Sequence, residues 1–327
     1  MNTSDFDFEL PDELIAQQPP KVRGESRMMV VDREKGTIEH RQFGDFPSYV
    51  GSEDLLVLND TRVVPARFFS NDGSSEILRV EPLTDRVWKC LVRPGKKFKP
   101  GRTVEIGDSK GTVLEICDPG GERMIEFDVA PDESVHGHLA LPPYIDRPDT
   151  SEDRERYQTV YAREEGAIAA PTAGLHFSEE TLSVLPHAFV TLHVGIGTFR
   201  PVSAEDVTEH HMHSEKYSLG ESTISAIQKA RRTIAIGTTV VRVLESCGAS
   251  EGKEGLRPQN GETDIFIYPP HDFQVVDALL TNFHLPKSTL LMLVSALADR
   301  DLILEAYEKA VEERYRFFSY GDCMLIL

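Results

Sequence analysis

A chain of 327 residues, 40% hydrophobic and 27% charged, has ordinary globular composition and length for one large or two ordinary domains, which excludes wholesale disorder. A formal net charge of −19 argues against a surface that holds nucleic acid everywhere, because phosphate binding rests on Lys and Arg. Cys90, Cys117, Cys247 and Cys323 form no C-x-x-C pair, and no stretch supplies a signal-peptide core or the roughly 18 apolar residues of a spanning helix. A cytoplasmic chain without zinc ribbon, redox motif or membrane segment is therefore expected.

In chain order, DLLVLND (54–60) reads as a buried strand, and NDTRVVPAR (59–67) continues from it with Arg62 and Arg67 around Pro65. The end of such a strand is where α/β folds present ligand groups, so a binding and a purely structural reading both stand here. From Glu76 to Val129 short alternating strands (EILRVEPL, RVWKCLVR, RTVEIG, GTVLEIC, RMIEFDV) are split by PGKKFKPG, GDSKG and DPGG. This predicts a small antiparallel β domain or barrel. Within it, residues 86–102 carry Arg86, Lys89, Arg93, Lys96, Lys97, Lys99 and Arg102 with no acidic residue. Such a run is either a local polyanion surface on an acidic chain or a solvated hairpin face.

RYQTVYA (156–162) and AAPTAGLHF (169–177) follow, and PTAG sets small residues ahead of a helix, where backbone can approach a ligand and amides can hold an anion. Ser178 is the expected N-cap of the helix beginning at Glu179, and AFVTLHVG (188–195) is a second buried strand. LHVGIGTFRPV (192–202) lacks the third glycine of a dinucleotide fingerprint. HHMHSE (210–215) matches neither H-E-x-x-H nor a zinc finger, so acid–base or hydrogen-bonding work ranks above a metal. Helix TISAIQKARR, strand TIAIG (233–237), helix TTVVRVLES (238–246) and strand TDIFIYP (263–269) come next. NFHLPK leads into a helix capped by Ser288, followed by the amphipathic helix LILEAYEKAVEERY (302–315), the FFSYGD turn and a final MLIL strand. Strands alternating with helices imply a largely parallel sheet or barrel. The expected fold is an α/β main domain (1–66 and 151–327), barrel-like, with a small antiparallel β-barrel domain inserted at 67–150.

Taken together and in order, these blocks resemble the S-adenosylmethionine:tRNA ribosyltransferase-isomerase family of queuosine biosynthesis. FDFELPDELIAQQPP, SRMMVVDR, DLLVLNDTRVVPAR, VRPGKKFKPG, LPPYI, RYQTVYA, APTAGLHF, HVGIGTFRPV, MHSE, GTTVVR, TDIFIYP, DALLTNFHLPKSTLLMLVSA and YRFFSYGD carry the likeness nearly end to end. Two departures are Pro270 and His271, where many relatives show glycine and tyrosine, and a short connection after Phe69.

The resemblance implies transfer and isomerisation of the ribosyl part of S-adenosylmethionine onto 7-aminomethyl-7-deazaguanine at the tRNA wobble position. The products are epoxyqueuosine-tRNA, adenine and methionine. S-adenosylmethionine is then a consumed substrate, with no cofactor and no metal, and the partner is a tRNA with a GUN-type anticodon, met by a monomer. The acceptor amine must lose a proton to attack, a ribose carbon must be deprotonated, and adenine leaves more readily when protonated. The expected acid–base groups are His176, His193, His213 and His284, with Glu215 and Asp60 as carboxylate partners. Arg62, Arg67 and Arg200 are expected to hold the methionine carboxylate or tRNA phosphates. Thr172, Ala173, Gly174, Gly195, Gly197, Thr238 and Thr239 are expected to line the substrate site, and Arg93, Lys96, Lys97, Lys99 and Arg102 to meet tRNA. A noncatalytic tRNA-binding protein would need only the basic run, and an S-adenosylmethionine methyltransferase would need a Gly-rich loop after an early strand, which is absent.

Overall fold

The computed structural model describes residues 1–117, 121–195, 197, 202, 204–249 and 251–327, in two compact units. The first comprises Met1–Arg62, Pro143–Arg147 and Glu155–Leu327, and the second Val63–Pro142 and Pro148–Arg154. Against the expected insertion at 67–150, the seam falls after Arg62, and the chain visits the first unit briefly at 143–147 before its final return at 155.

The strands are β1 (Arg27–Asp32), β2 (Thr37–Gln42), β3 (Asp54–Asn59), β4 (Thr61–Val63), β5 (Arg67–Phe69) and β6 (Glu76–Pro82). Next come β7 (Val87–Arg93), β8 (Thr103–Ile106), β9 (Ser109–Cys117), β10 (Glu122–Phe127), β11 (Glu164–Ala167) and β12 (His187–Leu192). The last are β13 (Glu215–Leu219), β14 (Arg232–Ile236), β15 (Gln259–Thr263), β16 (Ala278–Asn282) and β17 (Cys323–Ile326).

In the first unit nine strands form one sheet in the order β15-β13-β12-β3-β14-β16-β17-β1-β2. Only the centre, β12-β3-β14-β16, is continuously parallel; β17 runs antiparallel to β16, and β13, β15 and β2 are antiparallel to their neighbours. The sheet is thus mixed rather than largely parallel. The expectation missed this because MLIL returns as β17 without a crossover that reverses its direction. All six residues of β3 are buried, with Leu55 and Val57 entering one apolar cluster and Leu56 and Leu58 the other. Burial on both faces is why DLLVLN shows no alternation.

The helices Glu221–Lys229, Thr238–Gly248, Thr289–Ala298 and Arg300–Glu312 fall where periodicity placed them. Ser178 and Ser288 are N-caps, accepting from the Thr181 and Leu291 amides at 3.2 Å each. None of the helices among the described residues is long and apolar enough to cross a membrane. TDIFIYP is not a strand; β15 lies just before it and ends at Thr263. There, side chains serve the backbone instead of a neighbouring strand. The Ile265 amide donates to Thr263 Oγ1 (3.2 Å), the Ile265 carbonyl accepts from Arg242 Nε (3.3 Å), and Pro269 and Pro270 have no N–H to give.

The second unit is a six-stranded antiparallel sheet, β5-β6-β7-β10-β9-β8. Phe68, Ile77, Trp88, Cys90, Ile106, Ile125 and Phe127 fill its interior. Asn71 nearly closes it: its amide donates to Glu105 O (2.9 Å), and its side chain exchanges two hydrogen bonds with the Gly107 backbone (2.7 and 2.8 Å).

Candidate active site

The four central parallel strands end at one edge of the sheet, the place where open α/β sheets bind ligands. Their carboxyl ends deliver Asn59-Asp60-Thr61, Leu192-His193-Val194, Gly237-Thr238-Thr239 and Asn282-Phe283-His284. Because β17 is antiparallel to β16, the Phe318–Asp322 turn before it reaches the same edge.

A cavity of about 550 Å³ lies there. Ala169–Ala173, Val194 and Phe283–Leu290 make most of its wall, with Tyr144, Thr238, Thr239, Asn282 and Phe318. Gly237 has φ 94°, a conformation suited to glycine, and turns β14 directly into the Thr238–Gly248 helix. The first turns of that helix and of the Thr289–Ala298 helix both face the cavity, and neither carries an acidic residue to offset its positive dipole end. His284 is 7% exposed, with Nε2 3.0 Å from Thr281 Oγ1, and its backbone N–H donates to the Tyr307 hydroxyl (2.9 Å). Burial pushes its imidazole down to about 3, so it is neutral at ordinary pH. Tyr144 stacks on Phe318 with ring centroids 4.3 Å apart and shares a 2.6 Å hydrogen bond with Ser319 Oγ.

A smaller cavity of about 300 Å³ adjoins it, sharing Thr238, Thr239, Thr289 and Leu290. His210, His211, His213 and Gly197 line it, with Glu215 and Arg242. Among the described residues no group of three or more His, Cys, Asp or Glu is arranged to hold a metal ion. Glu215 and Arg242 are 7% and 5% exposed and form a buried ion pair. Glu215 Oε1 also accepts from the Gly195 amide (2.8 Å), and Arg242 donates to the Ile265 and Thr263 carbonyls. Glu215 is therefore committed to Arg242 rather than to a histidine.

Side-chain alternation sends other expected residues elsewhere. Thr191 and His193 alternate with Leu192 and Val194, so Val194 faces the larger cavity while His193 lines a separate cleft of about 630 Å³. Asp60 lies in that cleft too, ion-paired with Arg163 and accepting from Thr191 Oγ1 (2.7 Å). His193 Nδ1 sits 2.8 Å from Thr61 Oγ1, and burial lowers its pKa. Arg62 is exposed, 3.9 Å from Glu165.

Three further expectations, His176, Gly174 and Arg67, are not gathered into these two cavities. His176 is 4% exposed, held between Ser26 and Asn282, and burial pushes it down to about 4. Gly174 lies in a 3-10 turn, and its missing Cβ makes room for the Tyr161 hydroxyl, which a Cβ would meet at 2.1 Å. Gly197 likewise makes room for the His213 ring (2.8 Å). Arg67 belongs to the second unit, where its Nε pairs with Glu76 at 3.0 Å. Arg200 lies outside the described residues. In the second unit Arg93, at the end of β7, and Lys96, Lys97, Lys99 and Arg102, on the loop that follows around buried Phe98, are all exposed.

Arg242, Asn282, Tyr144 and Phe318 were missed. Arg242 was detectable, as a charge flanked on both sides by the apolar residues Val240, Val241, Val243 and Leu244, where burial demands a partner. Asn282, Tyr144 and Phe318 carry no comparable signal, because only the fold brings them to the strand ends.

A family model described as queuosine biosynthesis protein matches residues 3–326. A Symbiobacterium thermophilum protein named S-adenosylmethionine:tRNA ribosyltransferase-isomerase is 52% identical, with all of both chains covered. A Halothermothrix orenii protein of the same name is 48% identical over the same full span. The crystal structure of S-adenosylmethionine tRNA ribosyltransferase from Thermotoga maritima matches with a TM-score of 0.57 at 40% identity, covering 99% of this chain and 100% of that one.

Proposed function

The chain belongs to the queuosine biosynthesis protein family, and on that premise we propose that it is an S-adenosylmethionine:tRNA ribosyltransferase-isomerase. It transfers the ribosyl part of S-adenosylmethionine to the aminomethyl group of 7-aminomethyl-7-deazaguanine at the wobble position of a GUN-type tRNA. It then isomerises that group to the epoxycyclopentane of epoxyqueuosine and releases adenine and methionine. S-adenosylmethionine is consumed as substrate with no resident cofactor, and the enzyme acts as a cytoplasmic monomer.

The observation that carries this reading is the full-length family match on a chain whose APTAGLHF, GTTVVR, MHSE and NFHLPKST blocks all border two adjoining cavities. The larger cavity, mostly apolar with few polar groups, suits a nucleoside. The two unneutralised helix N-termini suit the methionine carboxylate, each presenting roughly half a positive charge and free amides. The Tyr144–Phe318 pair offers an aromatic wall to a nucleobase. His284 supplies a neutral imidazole inside the cavity, and exposed His213 is the group best placed to exchange a proton with water. Arg93, Lys96, Lys97, Lys99 and Arg102 supply the phosphate contacts.

The test is incubation of purified protein with S-adenosylmethionine and tRNA carrying the deazaguanine. Expected are a nucleoside with the mass of epoxyqueuosine, and adenine and methionine released in equal amounts. A methylated RNA product, or tRNA binding with no new nucleoside, refutes the proposal.

A further inference from the structure

Asn282, the last residue of β16, is 2% exposed and forms part of the wall of the larger cavity. Its Nδ2 faces Phe318 O at 3.0 Å, His176 Nε2 at 3.3 Å and Asp322 O at 3.5 Å. Two of these are main-chain carbonyls, which only accept, so the amide nitrogen must lie on that side and the oxygen on the other. That oxygen is buried with no hydrogen-bond partner among the described residues. An unsatisfied buried acceptor is costly, and at a cavity wall the cost is relieved when a ligand brings a donor.

The same logic sets His176. Facing an N–H donor, its Nε2 is the bare nitrogen, so Nδ1–H donates to Ser26 Oγ at 3.0 Å. Both ring nitrogens are then engaged, and Phe43 packs 5.5 Å from the ring. Phe318, at φ 70°, holds a left-handed backbone unusual for an aromatic residue, and its carbonyl is the nearest acceptor to the Asn282 amide. Strain and hydrogen bonds thus converge on one amide orientation.

We propose that Asn282 contacts the substrate, its Oδ1 accepting a hydrogen bond from a donor on the nucleoside of S-adenosylmethionine, and that His176 and Ser26 are positioning residues for that amide. The donor is a ribose hydroxyl or the exocyclic amine. This deepens the activity proposed above and rests on it; failure of that activity shows separately, as absence of product from the unaltered protein.

The experiment is steady-state turnover of the full chain at saturating modified tRNA with S-adenosylmethionine varied, folding being checked by thermal melting. Asn282→Leu should lower kcat/KM for S-adenosylmethionine about tenfold or more while KM for tRNA stays unchanged. His176→Leu should lose a comparable factor. His176→Gln, which offers one acceptor and one donor in place of the two ring nitrogens, should regain most of it, with the pH–rate profile of the unaltered enzyme. A folded His176→Gln as inactive as His176→Leu would mean the ring itself does chemistry, and overturns the proposal. With the unaltered enzyme, analogues lacking the 2′-hydroxyl, the 3′-hydroxyl or the exocyclic amine are compared as competitive inhibitors. One of them should bind about tenfold more weakly, naming the donor, and equal inhibition by all three overturns the proposal even if Asn282→Leu does not fold.

Discussion

Replacing Arg242 with Met should destabilise the first unit by about 3–5 kcal/mol, the usual cost of leaving one partner of a buried ion pair uncompensated. Glu215 would remain 7% exposed as a carboxylate, still accepting from the Gly195 amide but without its cationic partner. Glu215→Gln should cost less, about 1–3 kcal/mol, because Arg242 keeps the Ile265 and Thr263 carbonyls as acceptors. The double variant Glu215→Gln/Arg242→Met carries no buried charge, so it should recover about 2–3 kcal/mol relative to the sum of the singles. The assay is equilibrium urea unfolding followed by two probes. Trp88 is the only tryptophan and lies in the core of the second unit, so its fluorescence reports that unit. The four longer helices belong to the first unit, so helical circular dichroism reports the other. Arg242→Met should shift the helical transition. A loss under about 1 kcal/mol, or a double variant no better than the sum of the singles, refutes the view that Glu215 is held as a charge by Arg242.

Burial lowers His176 to about 4 and His284 to about 3, from an ordinary 6.5. The unfolded chain therefore binds more protons below pH 6.5, so the stability carried by the neutral rings is complete above that value and declines as pH falls toward 4. The decline is up to about 1.4 kcal/mol per pH unit for each histidine, and unfolding of His284→Gln across that window should show a shallower slope. Gly174→Ala should cost about 1–3 kcal/mol in melting experiments, whereas Gly195→Ala, whose Cβ meets nothing among the described residues nearer than Glu215 Oε1 at 3.8 Å, should melt like the unaltered chain. His213→Ala should cut kcat by about 10²-fold or more without changing the melt; an unchanged rate removes His213 from acid–base work. Changing Lys96, Lys97, Lys99 and Arg102 together to Ser should weaken tRNA binding and flatten its salt dependence, and an identical slope would put the phosphate contact elsewhere.

The β texture of 76–129 and the helices from Glu221 onward were legible because their information is local: period, caps and turn residues. The mixed sheet was not, because strand direction is decided by what crosses the sheet between partners, and β17 pairs with β1 nearly 300 residues away. Nor does sequence show which face of a strand end a residue takes. His193 and Val194 are neighbours in one block, yet one lines the cleft beside Asp60 and the other the larger cavity. The same limit explains PTAG and GIG. The PTAG glycine was expected to let backbone approach a ligand, and its space is taken by the Tyr161 hydroxyl; Gly197 of GIG was expected at the substrate site, and its space is taken by the His213 ring.

Burial also changes what the histidines can do with a cationic substrate. A protonated imidazole in the larger cavity would repel a sulfonium at short range with little water to screen it. His284 avoids this because desolvation keeps it neutral near ordinary pH. The same desolvation makes it a poor store for a proton, since holding one near neutral pH would cost several pH units of driving force. On the activity proposed above, proton storage is then left to a group in contact with water. His213, exposed at the smaller cavity beside Thr238 and Thr239, meets that requirement, while His176, sealed beneath Asn282, does not. On the activity proposed above, the two adjoining cavities divide recognition of the nucleoside from proton exchange with solvent, and the Thr238–Thr239 turn lines both.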